Sequence, residues 1–130
     1  MEQSENISQK QGSVLVIEDE LFLVEAYRAK FDKEGISVRF ITNGSDAIDE
    51  IGKEAPRVIL LDLMLPGVNG FDILGAIKKN EQWKDVPVIV LSNLSQEKDI
   101  GRCAELGAKE FIVKANTKLS DIIQKVKQYL

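Results

Sequence analysis

Four apolar runs in this chain lead straight into side chains that can do chemistry. Residues 14–17 (Val-Leu-Val-Ile) run into Glu18 and Asp19, and residues 58–61 (Val-Ile-Leu-Leu) into Asp62. Residues 88–91 (Val-Ile-Val-Leu) run into Ser92, and residues 111–113 (Phe-Ile-Val) into Lys114. Brought together, these would form a pocket of carboxylates, a hydroxyl and an ammonium. Clustered carboxylates repel one another, and taking them out of water is costly unless a cation neutralises them. A hard divalent ion with oxygen ligands answers that need, and Mg²⁺ commonly takes one or two carboxylates plus waters and phosphate oxygens.

Such convergence requires a particular scaffold. Continuous rather than alternating apolar runs indicate strands buried on both faces, as in a parallel sheet covered by helices. The carboxyl ends of parallel strands share one edge, and open α/β sheets bind ligands in the crevice there. Between the runs lie helical patterns. One is expected at about 21–34, with Val24, Tyr27 and Phe31 on one face and Gly35 ending it. A second is expected at about 45–53, presenting Ala47, Ile48 and Ile51, with Asn43 or Ser45 as cap. A third covers about 71–79, with Phe71, Leu74 and Ile77 inward, after a loop, 65–70, rich in turn formers. A fourth begins after Ser95, runs over about 96–106 to Gly107, and turns Ile100, Cys103 and Ala104 inward. The fifth spans about 118–129, offering Leu119, Ile122, Ile123 and Val126.

Strand two, about 37–41, is interrupted by Arg39 and suits a sheet edge. The runs at 14–17, 58–61 and 88–91 are the most apolar and should be central. This (βα)5 alternation predicts an α/β, doubly wound, flavodoxin-like fold with strand order 2-1-3-4-5. Its switch point lies between strands one and three, where Glu18, Asp19 and Asp62 stand. Trp83, in a polar segment before strand four, either covers the bottom of the sheet or sits partly exposed. Residues 1–12 read as a polar N-terminal tail, with one domain over 13–130.

Composition excludes several classes. At 130 residues a single domain is expected, burying roughly two-thirds of its unfolded surface. Lysine and arginine number 17 against 21 acids, a net charge of −4, which argues against a nucleic-acid-binding face. No apolar stretch approaches the roughly 20 residues of a membrane span, and the polar start is unlike a signal peptide. One cysteine allows no internal disulfide. With no histidine, the chain cannot carry a phosphohistidine or a histidine-based triad. A cytoplasmic protein is the simplest expectation.

The residues resemble the receiver domain of two-component response regulators over about 13–129. The resemblance is carried by Val-Leu-Val-Ile-Glu18-Asp19-Glu20, by Leu-Leu-Asp62-Leu-Met-Leu-Pro66-Gly67-Val-Asn-Gly70, by Val-Ile-Val-Leu-Ser92 and by Gly107-Ala-Lys-Glu-Phe111-Ile-Val-Lys114. It implies that Asp62 accepts a phosphoryl group from a histidine kinase or histidine phosphotransfer protein. It implies Mg²⁺ held by Asp19, Asp62 and the Met64 backbone carbonyl, with Glu18 acting through water. Lys114 and Ser92 would contact the phosphoryl oxygens, and Ser92 with Phe111 would form the switch. Partners would read the face of helix four, strand five and helix five, from a monomer or a phosphorylation-dependent dimer. The chain would then be a regulatory phosphoacceptor, stand-alone or excised, and not an enzyme.

The sequence departs from that pattern twice. Ala115 follows Lys114 where the family usually has a proline in a cis peptide; a non-proline cis bond costs about 2.5–4 kcal/mol, so a trans bond is expected. Asn93 follows Ser92 where a smaller residue is common, and could screen an acyl phosphate from water. Met64 is another position that tunes hydrolysis in the family, so slow dephosphorylation is expected. Other readings are weaker. An acidic cap favoured by a helix dipole leaves Asp62 unexplained. A nucleotide-binding enzyme lacks its glycine-rich loop, and a dehalogenase-type phosphatase lacks the second aspartate, since Met64 stands there. A receiver-like binding module that is never phosphorylated remains the alternative. Cys103 and the aromatics of the first helix are expected in the core.

Overall fold

The structure is a computed structural model that describes residues 13–93 and 97–130. The expectations for residues 1–12 and for Ser95 fall outside those residues. In chain order the elements are β1 (Val14–Ile17), α1 (Leu21–Lys33), β2 (Val38–Ile41), α2 (Gly44–Glu50), β3 (Val58–Asp62), β4 (Met64–Leu65) and β5 (Val68–Asn69). There follow α3 (Gly70–Lys79), β6 (Val88–Ser92), α4 (Glu97–Glu105), β7 (Glu110–Val113), a 3-10 turn (Lys114–Asn116) and α5 (Leu119–Lys127).

The long strands form one parallel sheet in the order β2-β1-β3-β6-β7. Discounting the short β4–β5 ribbon, this is the 2-1-3-4-5 order expected from the runs. Every residue of β1, β3 and β6 is buried, whereas β2 and β7 are half-buried throughout. The three longest apolar runs are therefore the centre, and the run broken by Arg39 and the short one after Glu110 are the edges.

Alternate side chains divide between two layers, as the pleat requires. Val14, Val16, Val58, Leu60, Ile89 and Leu91 pack with Tyr27 and Phe31 of α1 and with Ile122, Ile123 and Val126 of α5. Leu15, Ile17, Ile59, Leu61, Val88 and Val90 pack on the other face with Ala47, Ile73, Leu74, Ile77 and Cys103. At roughly 25 cal/mol per Å² of apolar surface removed from water, these two layers dominate the stabilisation.

Several local expectations need correction. Helix α2 stops at Glu50, so Ile51 is its C-cap and half-buried, while Ile48 is exposed. Asn43 caps it, accepting from the Asp46 N–H at 2.8 Å. In α4 only Cys103 is buried; Ile100 and Ala104 face out. Phe22 is 87% exposed, unlike the two aromatics further along α1. Trp83 is fully buried, and its Nε1–H donates to the Lys53 carbonyl at 3.0 Å. The loop after Asp62 holds an antiparallel ribbon, Met64 opposite Asn69 and Leu65 opposite Val68, turning at Pro66–Gly67 with Gly67 at φ +80°.

Candidate functional site at the carboxyl edge of the sheet

Register alone brings the chemical groups together. Ile17 lies beside Leu61 in the β1–β3 pairing, so Glu18 and Asp62 follow on the next rung. Asp62 lies beside Leu91, which puts Ser92 one rung further; Ser92 lies beside Val113, which puts Lys114 one rung beyond that. The ladder holds this end firmly: the Glu18 N–H donates to the Ile41 carbonyl at 3.0 Å and the Leu63 N–H to the Leu91 carbonyl at 3.2 Å. Beyond Asp62 the chain is closed against the start of α3. A Cβ on Gly70 would lie 2.5 Å from the Leu63 Cα, so only glycine permits that approach.

The Lys114 ammonium is the hub. Its Nζ donates to Glu18 Oε1 at 3.0 Å, to Glu20 Oε1 at 3.1 Å and to Asp62 Oδ2 at 3.2 Å. The other oxygens are also engaged: Asp62 Oδ1 accepts from the Met64 N–H at 2.9 Å, and Glu18 Oε2 from the Glu20 N–H at 3.1 Å. Glu18, Asp62 and Ser92 are buried. Asp62 nonetheless borders an open cleft of about 270 Å³ that it shares with Asp19, Glu20, Met64, Asn93 and Lys114.

Burial, and after it the charge of Asp62, pushes the Glu18 carboxyl up to about 7. Burial alone would lower the Lys114 pKa, but its hydrogen bond to Glu18 and the charges of Asp62 and Glu18 outweigh it and hold the ammonium well above its ordinary range. Burial likewise raises the Tyr27 hydroxyl, with the charge of Glu18 adding to it.

Glu20 is the residue that the sequence reading passed over. Carboxylate oxygens of Glu18, Glu20 and Asp62 all lie within 4.8 Å of one another. Asp19, half-buried, lines the cleft but is not one of that trio. Glu20 is the N-cap residue of α1, yet its side chain makes no capping bond and turns to Lys114 instead. The acidic run is therefore not spent on capping the helix. Ser92 sits fully buried at the end of β6. Phe111 is half-buried in β7, against the core layer that contains Cys103. Among the described residues every peptide bond is trans, including Lys114–Ala115.

The response regulator receiver domain profile matches residues 14–127. The chain belongs to the response regulator receiver family. Its structure is similar to the receiver domain of a signal transduction histidine kinase from Syntrophus aciditrophicus, at 28% identity and a TM-score of 0.81, covering 92% of this chain and 89% of that one. The phosphorylated cyanobacterial phytochrome response regulator RcpA is similar at 27% identity and a TM-score of 0.77, covering 91% and 90%. A receiver domain of a Pseudomonas aeruginosa sensor histidine kinase, which holds a magnesium ion in its active-site cleft, shares the fold at 21% identity and a TM-score of 0.79, covering 91% and 96%. Among the described residues, no helix of this receiver is long and apolar enough to cross a membrane.

Proposed function

We propose that this receiver is a phosphorylation-dependent switch in which Asp62 accepts a phosphoryl group from a phosphohistidine of a histidine kinase or histidine phosphotransfer protein. The supporting observation is the Lys114 ammonium 3.2 Å from the Asp62 carboxylate, at the floor of an open cleft and in the company of two further acids. An Asp62 oxygen attacks phosphorus; the new O–P bond forms as the P–N bond breaks, and the imidazole nitrogen leaves with the bonding pair. Such transfer depends mainly on positioning and charge neutralisation. The Met64 N–H orients one carboxylate oxygen. Lys114, now shared among three acids, supplies positive charge to the incoming oxygens, and the Ser92 hydroxyl donates to one of them.

Mg²⁺ suits the cleft. Glu18, Glu20 and Asp62 cluster around a single ammonium, an oxygen-only set that leaves negative charge uncompensated and favours a hard cation. By the family resemblance, Asp19, which lines the same cleft, and Asp62 would hold it with the Met64 carbonyl, and Glu18 through water. When bound, the ion would neutralise charge on the phosphoryl oxygens. The Pseudomonas receiver, whose active-site cleft holds a magnesium ion, supports Mg²⁺ as the ion.

Phosphorylation adds about −2 charge beside Ser92 and Lys114, at the ends of the strands that lead into α4 and α5. Moving a two-state protein from 1:99 to 99:1 needs roughly 5.5 kcal/mol of differential interaction, which several charge-assisted hydrogen bonds can supply. With Ser92 and Phe111 as the switch pair, the face of α4, β7 and α5 would carry the signal to a protein target in the cytoplasm.

Phosphorylation by acetyl phosphate with Mg²⁺ tests the reading. The wild-type protein should take up one phosphoryl group and the Asp62→Asn variant none; labelling of the variant would refute the acceptor assignment. A wild-type protein that shows no Mg²⁺-dependent change with beryllofluoride would instead be a binding module outside phosphorylation control.

A further inference from the structure

Two residues that set this receiver apart in sequence are joined in space. The Ala115 N–H donates to Asn93 Oδ1 at 2.9 Å, across 22 positions of chain. Asn93 follows Ser92 and Ala115 follows Lys114, so the bond continues the β6–β7 pairing past the point where the strands end. It is chemically matched at both ends. A proline at 115 would have no N–H to offer, and an alanine or glycine at 93 would have no side-chain acceptor. Because the donor is a backbone N–H, the amide must turn its oxygen toward Ala115. The half left over is the NH₂, a donor only, and Asn93 borders the same cleft as Asp62 and Lys114.

Lys114 has need of such a tether. Its strand stops at Val113, and the lysine opens a three-residue 3-10 turn. On the far side Thr117 steadies that turn, its hydroxyl donating to the Val113 carbonyl at 3.0 Å and its N–H to the Lys114 carbonyl at 3.3 Å. On the near side the Asn93–Ala115 bond does so. The ammonium meanwhile reaches to three acids, one just past β1, one at the end of β3 and one at the N-cap of α1.

We infer that Asn93 is a positioning residue: by holding Ala115 it fixes the Lys114 arm over Asp62 and so sets how well the cleft receives a phosphoryl group. The inference rests on the phosphoacceptor reading. It departs from simple shielding of an acyl phosphate, because it requires Asn93 to act through Lys114 and not on water.

The test is a double-mutant cycle on affinity for beryllofluoride with Mg²⁺, read from backbone amide shifts. Asn93→Ala should weaken binding about fivefold, the factor an ordinary neutral hydrogen bond is worth. In a Lys114→Ala background the same substitution should change nothing, because the arm it holds is gone. In an Ala115→Pro background it should also change nothing, because the donor is gone. In the metal-free protein, Asn93→Ala should speed hydrogen exchange at the Ala115 amide and lower the global unfolding midpoint by no more than the loss of one exposed hydrogen bond. Equal losses in all three backgrounds, or unchanged Ala115 exchange, would overturn the positioning role and leave the acceptor reading standing. Failure of the wild type to bind beryllofluoride would remove both.

Discussion

Two half-buried lysines occupy opposite edges of the same sheet, and they are treated differently. Lys114, at the carboxyl edge, meets three carboxylates. Lys78, at the amino edge, donates to the carbonyls of Lys84 at 3.2 Å and Val86 at 3.0 Å, just ahead of β6. Burial lowers the Lys78 pKa, with Lys109 pushing the same way and Asp85 opposing, whereas the acids around Lys114 raise its pKa in spite of burial. Fixed carbonyl dipoles make Lys78 a staple: its partners cannot leave or change charge. The partners of Lys114 are ionisable and can be taken over by another cation. An ammonium so held can be redirected to an incoming anion, which is what separates a site from a brace.

The two lysines should respond differently when their ammonium groups are removed. Lys114→Ala should slow phosphorylation from acetyl phosphate about a hundredfold, the usual effect of deleting one donor to developing oxyanion charge. Rates within a few-fold of wild type would show that Lys114 is no more than a counter-ion to the acids.

The acids around Lys114 also make stability depend on pH. The Glu18 carboxyl sits near 7 in the folded protein, against an ordinary 4.5. Between those values the native state keeps a proton that the unfolded chain has released. The metal-free protein therefore loses stability as pH rises from about 4.5 to about 7, with a slope of at most about 1.4 kcal/mol per unit, and levels off above. Mg²⁺ favours the ionised acids, so its stabilising effect should be larger at pH 8 than at pH 5. Denaturant midpoints measure both. Glu18→Gln should flatten the metal-free slope; an unchanged slope would place the burden on another group.

The amount of this that was legible in the sequence differs by length scale. Buried parallel strands read as uninterrupted apolar runs, so the sheet, its order and the strand-end residues Glu18, Asp62, Ser92 and Lys114 followed directly. Elements of two residues have no period to detect, so Pro66 and Gly67 announced a turn but not the β4–β5 ribbon around it. Ile48 and Ile100 failed as core residues because short helices against a sheet rim bury only a narrow stripe. Glu20 was hidden by its position: an acid at a helix start has a ready explanation in the helix dipole, and only its contact with Lys114 shows otherwise. The Asn93–Ala115 bond spans two loops, and no local pattern encodes it, although both residues stood out as departures from the resemblance.

Withdrawing the Lys78 ammonium should cost little. Lys78→Met keeps most of the aliphatic stem, including the stretch that would lie 3.2 Å from a Cβ at Gly107, but withdraws the ammonium from two carbonyls. The bond to Lys84 is exposed and the bond to Val86 part-buried, so the loss should be about 1 kcal/mol, toward the low end for an acceptor left unsatisfied. The charge removed is one that burial already disfavours, which trims the cost further. The denaturant midpoint should fall by that modest amount while the phosphorylation rate stays within twofold of wild type. A variant that folds normally but loses phosphorylation would mean that the two edges of the sheet are coupled, and the division between brace and site would have to be abandoned.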